Sequence, residues 1–287
     1  MSGRSGGPTD WRNYPVPRDE SAYSAAPSLR ILAQLYSPEL DSYRDVLVAL
    51  PASATLGDKR YPVVYMHDGQ NLFDPVTSYA GHWELAATLA YHALEGLEVI
   101  VVGIPNMGRR RRYEYTPFPD PVHGGGGGDR YLRFLCETLK PQIDAAFPTL
   151  PDRSATAVAG SSLGGLISLY ALFRRPDTFG VAGVMSPALW FAGSAIFDYV
   201  RHAPIPGGRI YLDIGTAEGE GELRDARQLR DLLVERGYRP GRSLVYVEDE
   251  GADHHERAWA RRLRETLPYL VAGRHARPAV ERPNVEP

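Results

Sequence analysis

The chain has 287 residues, of which 43% are hydrophobic and 23% are charged, as in an ordinary folded domain rather than a disordered chain. Its 32 basic and 35 acidic residues give a formal net charge of −3, which argues against a general nucleic-acid binder. The single cysteine, Cys136, excludes a disulfide framework and a zinc site built only from thiolates.

The organisation along the chain predicts one domain between two loose ends. Residues 1–28 and 271–287 are rich in Gly, Pro and polar side chains, so we expect a folded domain over residues 29–270. Residues 1–8 lack the apolar core of a secretory signal, which favours a cytoplasmic protein. The uncharged stretch 154–173 carries four serines, a threonine and three glycines, which is too polar for a membrane helix. It indicates a strand, a turn and a helix instead.

The predicted strands are short apolar runs bounded by turn residues, at 29–36, 46–50, 63–66, 99–104, 155–159, 181–185, 210–214 and 244–247. Apolar residues at helical spacing predict helices at 131–147, at 222–235 and around residues 259–267. The five glycines at 124–128 indicate a mobile surface loop. A turn-rich connection after the first strand predicts an N-terminal antiparallel hairpin. The later alternation predicts an α/β fold: a mostly parallel sheet of about eight strands, with helices on both faces.

The segment 155–173 carries the strongest chemical signal. It contains G-x-S-x-G at Gly160, Ser162 and Gly164, after an apolar strand and before an apolar helix. A serine at such a sharp strand-to-helix turn needs strained backbone angles and very small neighbours. We predict Ser162 as a catalytic nucleophile and the backbone N–H of Leu163 as an oxyanion donor. A Gly/Ser-rich turn without catalytic meaning, or Ser161 as the nucleophile, are the alternatives.

The general base and its acid are expected after Ser162, because sheets of this kind order the residues as Ser, then Asp or Glu, then His. His254 lies in a loop directly after the last predicted strand, which brings it to the same sheet edge. His255 as the base, or a purely structural histidine, are the alternatives. Glu218, just past the 210–214 strand, is the best-placed acid, with neighbours such as Asp225 as alternatives.

A second polar loop, His-Asp-Gly-Gln-Asn-Leu-Phe-Asp at residues 67–74, follows the 63–66 strand. Gly69 allows a sharp turn, so the backbone N–H of Gln70 is the natural second oxyanion donor. A metal site is the alternative, with candidate ligands His67, Asp68, His254, His255 and Glu256. We predict no metal, because the chain has no H-E-x-x-H or comparable spacing.

Four consecutive arginines at residues 109–112 follow the 99–104 strand. Such a run is often only solvated surface, but one guanidinium could instead line the site and hold an acidic or phenolic group. Three aromatic residues occupy comparable positions after strands: Trp83, Tyr115 and Trp190. Together with Arg111 they predict aromatic walls around one fixed positive charge. Such walls suit aryl or short acyl groups better than chains longer than about eight carbons.

These motifs, with the His-x-Glu-x-x-Trp ending at 254–259, resemble the putative esterase family of α/β-hydrolases. That family includes esterase D, feruloyl esterases and enterochelin esterases. The resemblance covers residues 29–270 and is closest to the enterochelin-esterase-like branch. Two further segments match this branch, Arg-x-x-Glu-Tyr at 111–115 and Ser-Pro-x-x-Trp at 186–190. The resemblance implies an α/β-hydrolase fold and a serine carboxylic ester hydrolase without metal or cofactor.

Carried over position by position, the resemblance implies a nucleophile at Ser162, a base at His254 and an acid at Glu218. It implies oxyanion donors at Gln70 and Leu163. Some family members work with a serine–histidine dyad, so a site without an acid is a further alternative. The predicted substrate-binding residues are Trp83, Arg111, Tyr115, Ser186 and Trp190.

The sequence therefore predicts a serine esterase that acts through an acyl-enzyme on short-chain or aryl esters, including feruloyl- or siderophore-like ones. Its expected partner is a small-molecule ester, with no nucleic acid and no membrane. An acyltransferase that uses the same three residues is one alternative. A non-catalytic binding module on the same fold is the other.

Overall fold

The computed structural model describes residues 10–14 and 26–271. The strands are β1 (Arg12–Asn13), β2 (Ser28–Ser37), β3 (Ser42–Leu50), β4 (Val63–His67), β5 (Ile100–Ile104), β6 (Pro119–Asp120), β7 (Gly124–Gly125), β8 (Thr156–Ser161), β9 (Val181–Met185), β10 (Arg209–Gly215) and β11 (Leu244–Asp249). The α-helices are α1 (Leu85–Leu94), α2 (Arg111–Tyr115), α3 (Gly128–Arg133), α4 (Lys140–Ala146), α5 (Leu163–Arg174), α6 (Phe191–His202), α7 (Glu220–Glu235) and α8 (Glu256–Val271).

Nine strands form one sheet in the order β1-β2-β3-β5-β4-β8-β9-β10-β11. The pairs β1–β2, β2–β3 and β3–β5 are antiparallel, and every later pair is parallel. This confirms the predicted mostly parallel sheet with an N-terminal antiparallel hairpin. Because parallel strands end at the same edge, the loops after β4, β5, β8, β9, β10 and β11 all meet there. Every predicted site residue comes from one of these loops or from the helix that follows it.

Two apolar cores cover the two faces of the sheet. Successive residues of β4 alternate between them, with Val63 and Tyr65 in one core and Val64 and Met66 in the other. Helices α1 and α8 pack in the second core, and α3 to α7 pack in the first. The expected helices on both faces are therefore present. In the part of the chain that the structure describes, no helix is long and apolar enough to cross a membrane.

The predicted helix at 131–147 is interrupted by a wider turn. Between α3 and α4, residues Phe134–Leu139 form a π-helical segment. Pro141 lies in the first turn of α4. A proline inside a helix lacks the N–H that would bond four residues back and crowds that carbonyl, which here belongs to Glu137. A π turn gives the ring the space it needs, so the helix continues without a break.

The five glycines at 124–128 do not form the mobile loop that the sequence predicts. Gly124 and Gly125 pair with β6, and α3 begins at Gly128. A Cβ on Gly125 would lie 2.2 Å from Oγ1 of Thr116, and one on Gly127 would lie 2.3 Å from the ring of Tyr113. Residues 125–128 are thus packed against their neighbours, and close contact explains why glycine occupies these four positions.

The predicted loose N-terminal segment is also corrected in part. Arg12 and Asn13 pair with Ile31 and Arg30, so residues 10–14 form the outer edge of the sheet. The remaining residues predicted to be loose, in 1–9, 15–25 and 272–287, lie outside the described part of the chain.

Candidate active site

Ser162 occupies a strained turn between β8 and α5. Its backbone angles are φ 58° and ψ −121°, a conformation that residues with a side chain rarely adopt. The neighbouring strand β9 fixes the turn, because the Ser162 N–H donates to the carbonyl of Met185 (3.0 Å) and the Ser162 carbonyl accepts from the N–H of Ala188 (3.1 Å). A Cβ on Gly160 would lie 3.0 Å from Cβ of His67, so the turn leaves room only for glycine there.

Exposure distinguishes the two serines of this turn. Ser161 ends strand β8 and is 5% exposed, whereas Ser162 is half-buried and open to solvent. Because a nucleophile must reach its substrate, this placement favours Ser162 over Ser161.

Two backbone N–H groups in this region have no acceptor. Among the residues that the structure describes, neither Leu163 N–H nor Gln70 N–H donates a hydrogen bond. Leu163 begins α5, where N–H groups point out of the helix and attract negative charge. Free N–H groups of this kind can stabilise an oxyanion.

The loop that carries Gln70 turns differently from the prediction. The left-handed residue is Asp68 (φ 55°, ψ 45°), not Gly69. Gly69 is required by close contact instead, because a Cβ there would lie 2.5 Å from both Gly103 C and Ile104 N of β5. The glycine therefore lets the loop lie directly on the neighbouring strand.

Glu218 and His254 are in direct contact. Nδ1 of His254 lies 2.7 Å from Oε2 of Glu218, and the side chains are 42% and 0% exposed respectively. Glu218 lies between β10 and α7 and His254 in the loop after β11, as the order of elements predicts. The contact occupies Nδ1 and leaves Nε2 as the ring nitrogen available for proton transfer.

Glu218 is ionised in spite of its burial. Burial alone would raise the pKa of its carboxyl, but hydrogen bonds from His254, from the Ser186 hydroxyl (2.6 Å) and from the Gly215 N–H (2.8 Å) outweigh it and lower the pKa. Such a carboxylate can orient an imidazole and stabilise its protonated form.

The alternative residues lie elsewhere. Nδ1 of His255 accepts a long hydrogen bond from the Arg257 N–H (3.3 Å). Asp225 is part of α7, and burial raises the pKa of its carboxyl. In the described structure neither side chain forms a hydrogen bond or an ion pair with His254 or Glu218.

Ser186 was predicted to bind substrate, and the structure corrects this assignment. Its side chain is 1% exposed, so it has no surface to offer a ligand. Its hydroxyl instead donates to Glu218 and accepts from Nε1 of Trp259 and Nη2 of Arg262, both at 2.9 Å. Ser186 thus supports the carboxylate from behind.

Arg262 and Asp213 complete this buried cluster, and sequence reasoning assigned a role to neither. Nη1 of Arg262 lies 3.2 Å from Oδ1 of Asp213, and both residues are buried. Burial raises the pKa of Asp213 to about 6, although Arg262 opposes the shift. The signal for Arg262 is its position three residues after Trp259, where a helix with an apolar face should carry an apolar residue.

The prediction that Trp83 and Tyr115 bind substrate is corrected in the same way. Trp83 is 2% exposed and packs against Trp259, with ring centroids 5.9 Å apart. Tyr115 is completely buried, and its hydroxyl accepts the Asp68 N–H at 3.1 Å. Both aromatic side chains support loops of the site and do not form its walls.

Arg111 and Trp190 are both partly exposed. Arg111 is paired with a carboxylate, whereas Trp190 is not. The guanidinium of Arg111 forms two hydrogen bonds to the carboxylate of Asp68. Trp190 is 48% exposed and meets His123 edge-on, with ring centroids 5.9 Å apart. His123 is thus a further exposed side chain next to Trp190, and the sequence did not indicate it because it precedes the glycines predicted to form a loop.

His67 lies in the interior rather than at a metal site. Its Nδ1 is 2.9 Å from the Tyr131 hydroxyl, and burial lowers its pKa to about 3. Within residues 10–14 and 26–271, no three His, Cys, Asp or Glu side chains are grouped to hold a metal ion.

The sequence matches known proteins over most of its length. The model of the family described as "Putative esterase" matches residues 37–270. The chain is 26% identical to the uncharacterized protein YbbA of Bacillus subtilis over 234 residues, 77% of this chain and 90% of that protein. It is 28% identical to the iron(III) salmochelin esterase of Escherichia coli over 232 residues, 73% of this chain and 49% of the relative. It is 36% identical to the siderophore triacetylfusarinine C esterase of Aspergillus fumigatus over 137 residues, 45% of each chain. The matches thus span about half the length of these two esterases.

Solved structures share the fold. The BES protein of Bacillus cereus superimposes with a TM-score of 0.67 at 21% identity, covering 90% of this chain and 98% of that one. The enterobactin esterase FES of Shigella flexneri, solved in the presence of 2,3-di-hydroxy-N-benzoyl-glycine, gives 0.67 at 18% identity and covers 86% and 59%. At these identities the similarity establishes the α/β-hydrolase fold.

Proposed function

Because the chain belongs to the Putative esterase family, we propose that it is a serine carboxylic ester hydrolase that acts on short-chain or aryl, siderophore-like esters. The contact between His254 Nδ1 and Glu218 Oε2 at 2.7 Å carries the proposal. It places an oriented imidazole at the sheet edge where the strained Ser162 turn also lies. Serine hydroxyls need such a base to become nucleophilic.

The proposed reaction has two halves. Ser162 Oγ attacks the ester carbonyl while Nε2 of His254 takes its proton, and Glu218 stabilises the imidazolium. The N–H groups of Leu163 and Gln70 hold the oxyanion of the tetrahedral intermediate. Collapse breaks the bond to the alcohol, which leaves with the proton from His254 and leaves the acyl group on Ser162. A water molecule then attacks the acyl-enzyme while His254 takes its proton. The bond between the acyl group and Ser162 Oγ breaks as His254 returns that proton to the serine, and the acid is released.

The proposed substrate class rests on the relatives and on Trp190. Two relatives are siderophore esterases by name, and their substrates are esters. Trp190 has an exposed ring and lies two residues after Ala188, whose N–H donates to the Ser162 carbonyl, so the chain that carries this aromatic surface is attached to the Ser162 turn. Planar aryl groups stack on such surfaces.

Hydrolysis of p-nitrophenyl acyl esters, feruloyl esters and a tricatechol siderophore tests the proposal. Wild-type protein should release p-nitrophenol, and Ser162→Ala should lower the rate by about 10³-fold or more. Ser161→Ala is the matched control and should retain most of the activity. A fluorophosphonate should label Ser162, and mass spectrometry would locate the adduct. If Ser162→Ala retained a tenth of the wild-type rate, Ser162 would not be the nucleophile.

A further inference from the structure

The turn that carries Gln70 adopts a conformation that needs support. Asp68 has left-handed backbone angles, which side chains disfavour, and is only 6% exposed. A buried carboxylate also requires hydrogen bonds and a compensating charge. Both needs are met from outside the loop, by residues that follow β5.

Arg111 provides the charge. Its Nε donates to Oδ1 of Asp68 at 2.7 Å and its Nη2 donates to Oδ2 at 2.8 Å, a two-pronged pair that fixes both position and orientation. Burial alone would lower the pKa of Arg111, but the attraction of Asp68 outweighs it and raises the pKa. The guanidinium lies over the ring of Tyr115, 5.1 Å from its centroid.

Asn106 connects the two ends of the turn. Its side-chain Nδ2 donates to Oδ1 of Asp68 at 2.7 Å, and its backbone N–H donates to the side-chain oxygen of Gln70 at 3.0 Å. The Tyr115 hydroxyl accepts the Asp68 N–H, and the Gln70 carbonyl accepts from Thr77 at 2.7 Å. These contacts hold the turn on every side and leave the Gln70 N–H without an acceptor in the described structure.

The charge of Asp68 also bears on the neighbouring helix. Its Oδ2 lies 3.6 Å from the place that a Cβ on Gly164 would occupy, in the first turn of α5. A carboxylate so close to the Ser162 turn would repel a developing oxyanion unless a cation neutralised it. Arg111 is that cation.

We infer that Arg111 is a positioning residue for the reaction. Its two hydrogen bonds to Asp68 fix the position of the Gln70 N–H, and its charge neutralises the carboxylate beside the oxyanion. The inference rests on the proposed esterase function. It also replaces the expectation that Arg111 holds an acidic group of the substrate, since the Nε and Nη2 edge of its guanidinium already binds Asp68.

Kinetics on two esters separate these roles. Arg111→Gln should lower kcat by about 10- to 100-fold on both p-nitrophenyl acetate and p-nitrophenyl hemisuccinate, which carries a carboxylate. KM should stay within about threefold on both, because a donor aimed at the oxyanion acts in the transition state. Arg111→Lys should fall between wild type and Arg111→Gln, since an ammonium supplies the charge without the fork. Arg109→Gln, an exposed neighbour, is the matched control and should keep the wild-type kcat.

A transition-state analogue gives a second readout. Binding of a trifluoromethyl ketone, whose adduct carries an oxyanion, should weaken in parallel with kcat across the Arg111 variants. Because Asp68 and Arg111 form one contact, Asp68→Asn/Arg111→Gln should lose no more activity than the worse single variant. Thermal melts verify that each variant is folded.

Two results would overturn the inference. One is a rise in KM confined to the hemisuccinate ester, which would make Arg111 a substrate contact. The other is an Arg111→Gln variant with unchanged kcat on both esters. Failure of the proposed function is recognised separately, because Ser162→Ala would then leave wild-type activity intact whatever the Arg111 variants do.

Discussion

The hydroxyl of Ser186 donates a 2.6 Å hydrogen bond to Oε1 of Glu218, the carboxylate whose other oxygen meets His254. The same hydroxyl accepts from Trp259 and Arg262. One buried oxygen therefore connects helix α8 to the acid–base pair, and this is the contact that a substitution can remove most cleanly.

Ser186→Ala should lower both stability and turnover. The buried Nε1 of Trp259 loses its acceptor, and Nη2 of Arg262 keeps only a longer contact to Glu218, so unfolding free energy should fall by about 1–3 kcal/mol. Glu218 loses a hydrogen bond that favours its ionised form, so kcat should fall by about 10-fold. Urea denaturation and ester hydrolysis measure the two effects, with the exposed Ser154→Ala as control. Unchanged kcat in the Ser186 variant would show that the hydroxyl is only a packing element.

Glu218→Gln tests the acid directly. The amide has nearly the same shape but no charge, and its N–H₂ group can face Nδ1 and favour the wrong imidazole tautomer, so kcat should fall by about 10² to 10⁴. Asp225→Asn, on α7, should leave kcat near the wild-type value. The opposite pattern would move the acid to Asp225, and loss in neither variant would indicate a serine–histidine dyad.

The two adjacent histidines should behave very differently. His254→Ala removes the imidazole that Glu218 holds, so turnover should fall to the level of the Ser162→Ala variant. His255→Ala removes a ring that, in the described structure, forms no hydrogen bond with Glu218 or Ser162, so the variant should retain most of the activity. Steady-state hydrolysis of p-nitrophenyl acetate decides between them, and an inactive His255 variant would reassign the base.

Asp213 should make stability depend on pH. Because burial raises its folded-state pKa from 3.8 to about 6, the folded protein binds this proton more tightly than the unfolded chain does. The stabilisation is therefore complete below pH 3.8 and is lost as the pH rises through about 6. At 1.36 kcal/mol per pKa unit, this pH-dependent stabilisation is on the order of 2–3 kcal/mol of unfolding free energy.

The Asp213→Asn variant should accordingly lose less unfolding free energy than wild type between pH 4 and 7, a range of about three units around the shift. Urea titrations at several pH values measure the difference. Asp58→Asn, at an exposed position, should follow the wild-type curve. Parallel curves for wild type and Asp213→Asn would contradict the prediction.

The buried ion pair between Arg44 and Glu114 should be costly to break. Both side chains are completely buried, and two hydrogen bonds of 3.0 and 2.9 Å join them. Glu114→Gln leaves the guanidinium without its counter-charge, so unfolding free energy should fall by about 3–5 kcal/mol. The exposed pair of Arg230 and Asp231 is the control, and Asp231→Asn should cost about 1 kcal/mol or less. A loss of similar size in both variants would show that burial of the pair is unimportant.

Local patterns in the sequence predicted much of the fold. The 181–185 strand matches β9 residue for residue, and the other strand bounds differ by only a few residues, because short apolar runs and the turn residues that bound them are local signals. The placement of Ser162, Glu218 and His254 followed from chain order, since parallel strands end at one edge. The wider turn before Pro141 was missed because an apolar pattern does not distinguish α from π geometry.

The direction of individual side chains could not be predicted in the same way. Ser186 and Arg111 both follow strands that end at the site, and sequence reasoning aimed both at the substrate. The partners that turn them inward, Glu218 and Asp68, lie 32 and 43 residues away in the chain. Contacts between residues so far apart in the chain form only when the sheet is assembled, so the local sequence does not predict them.

Helix α8 is the last element of the described chain, and it supplies Trp259 and Arg262 to the cluster behind Glu218. During synthesis, the Ser162 turn, strand β8 before it and helix α5 after it leave the ribosome well before α8 does. The Ser162 turn is therefore synthesised before the segment that supports Glu218. The hydrogen bonds behind that carboxylate can be completed only after helix α8 has formed.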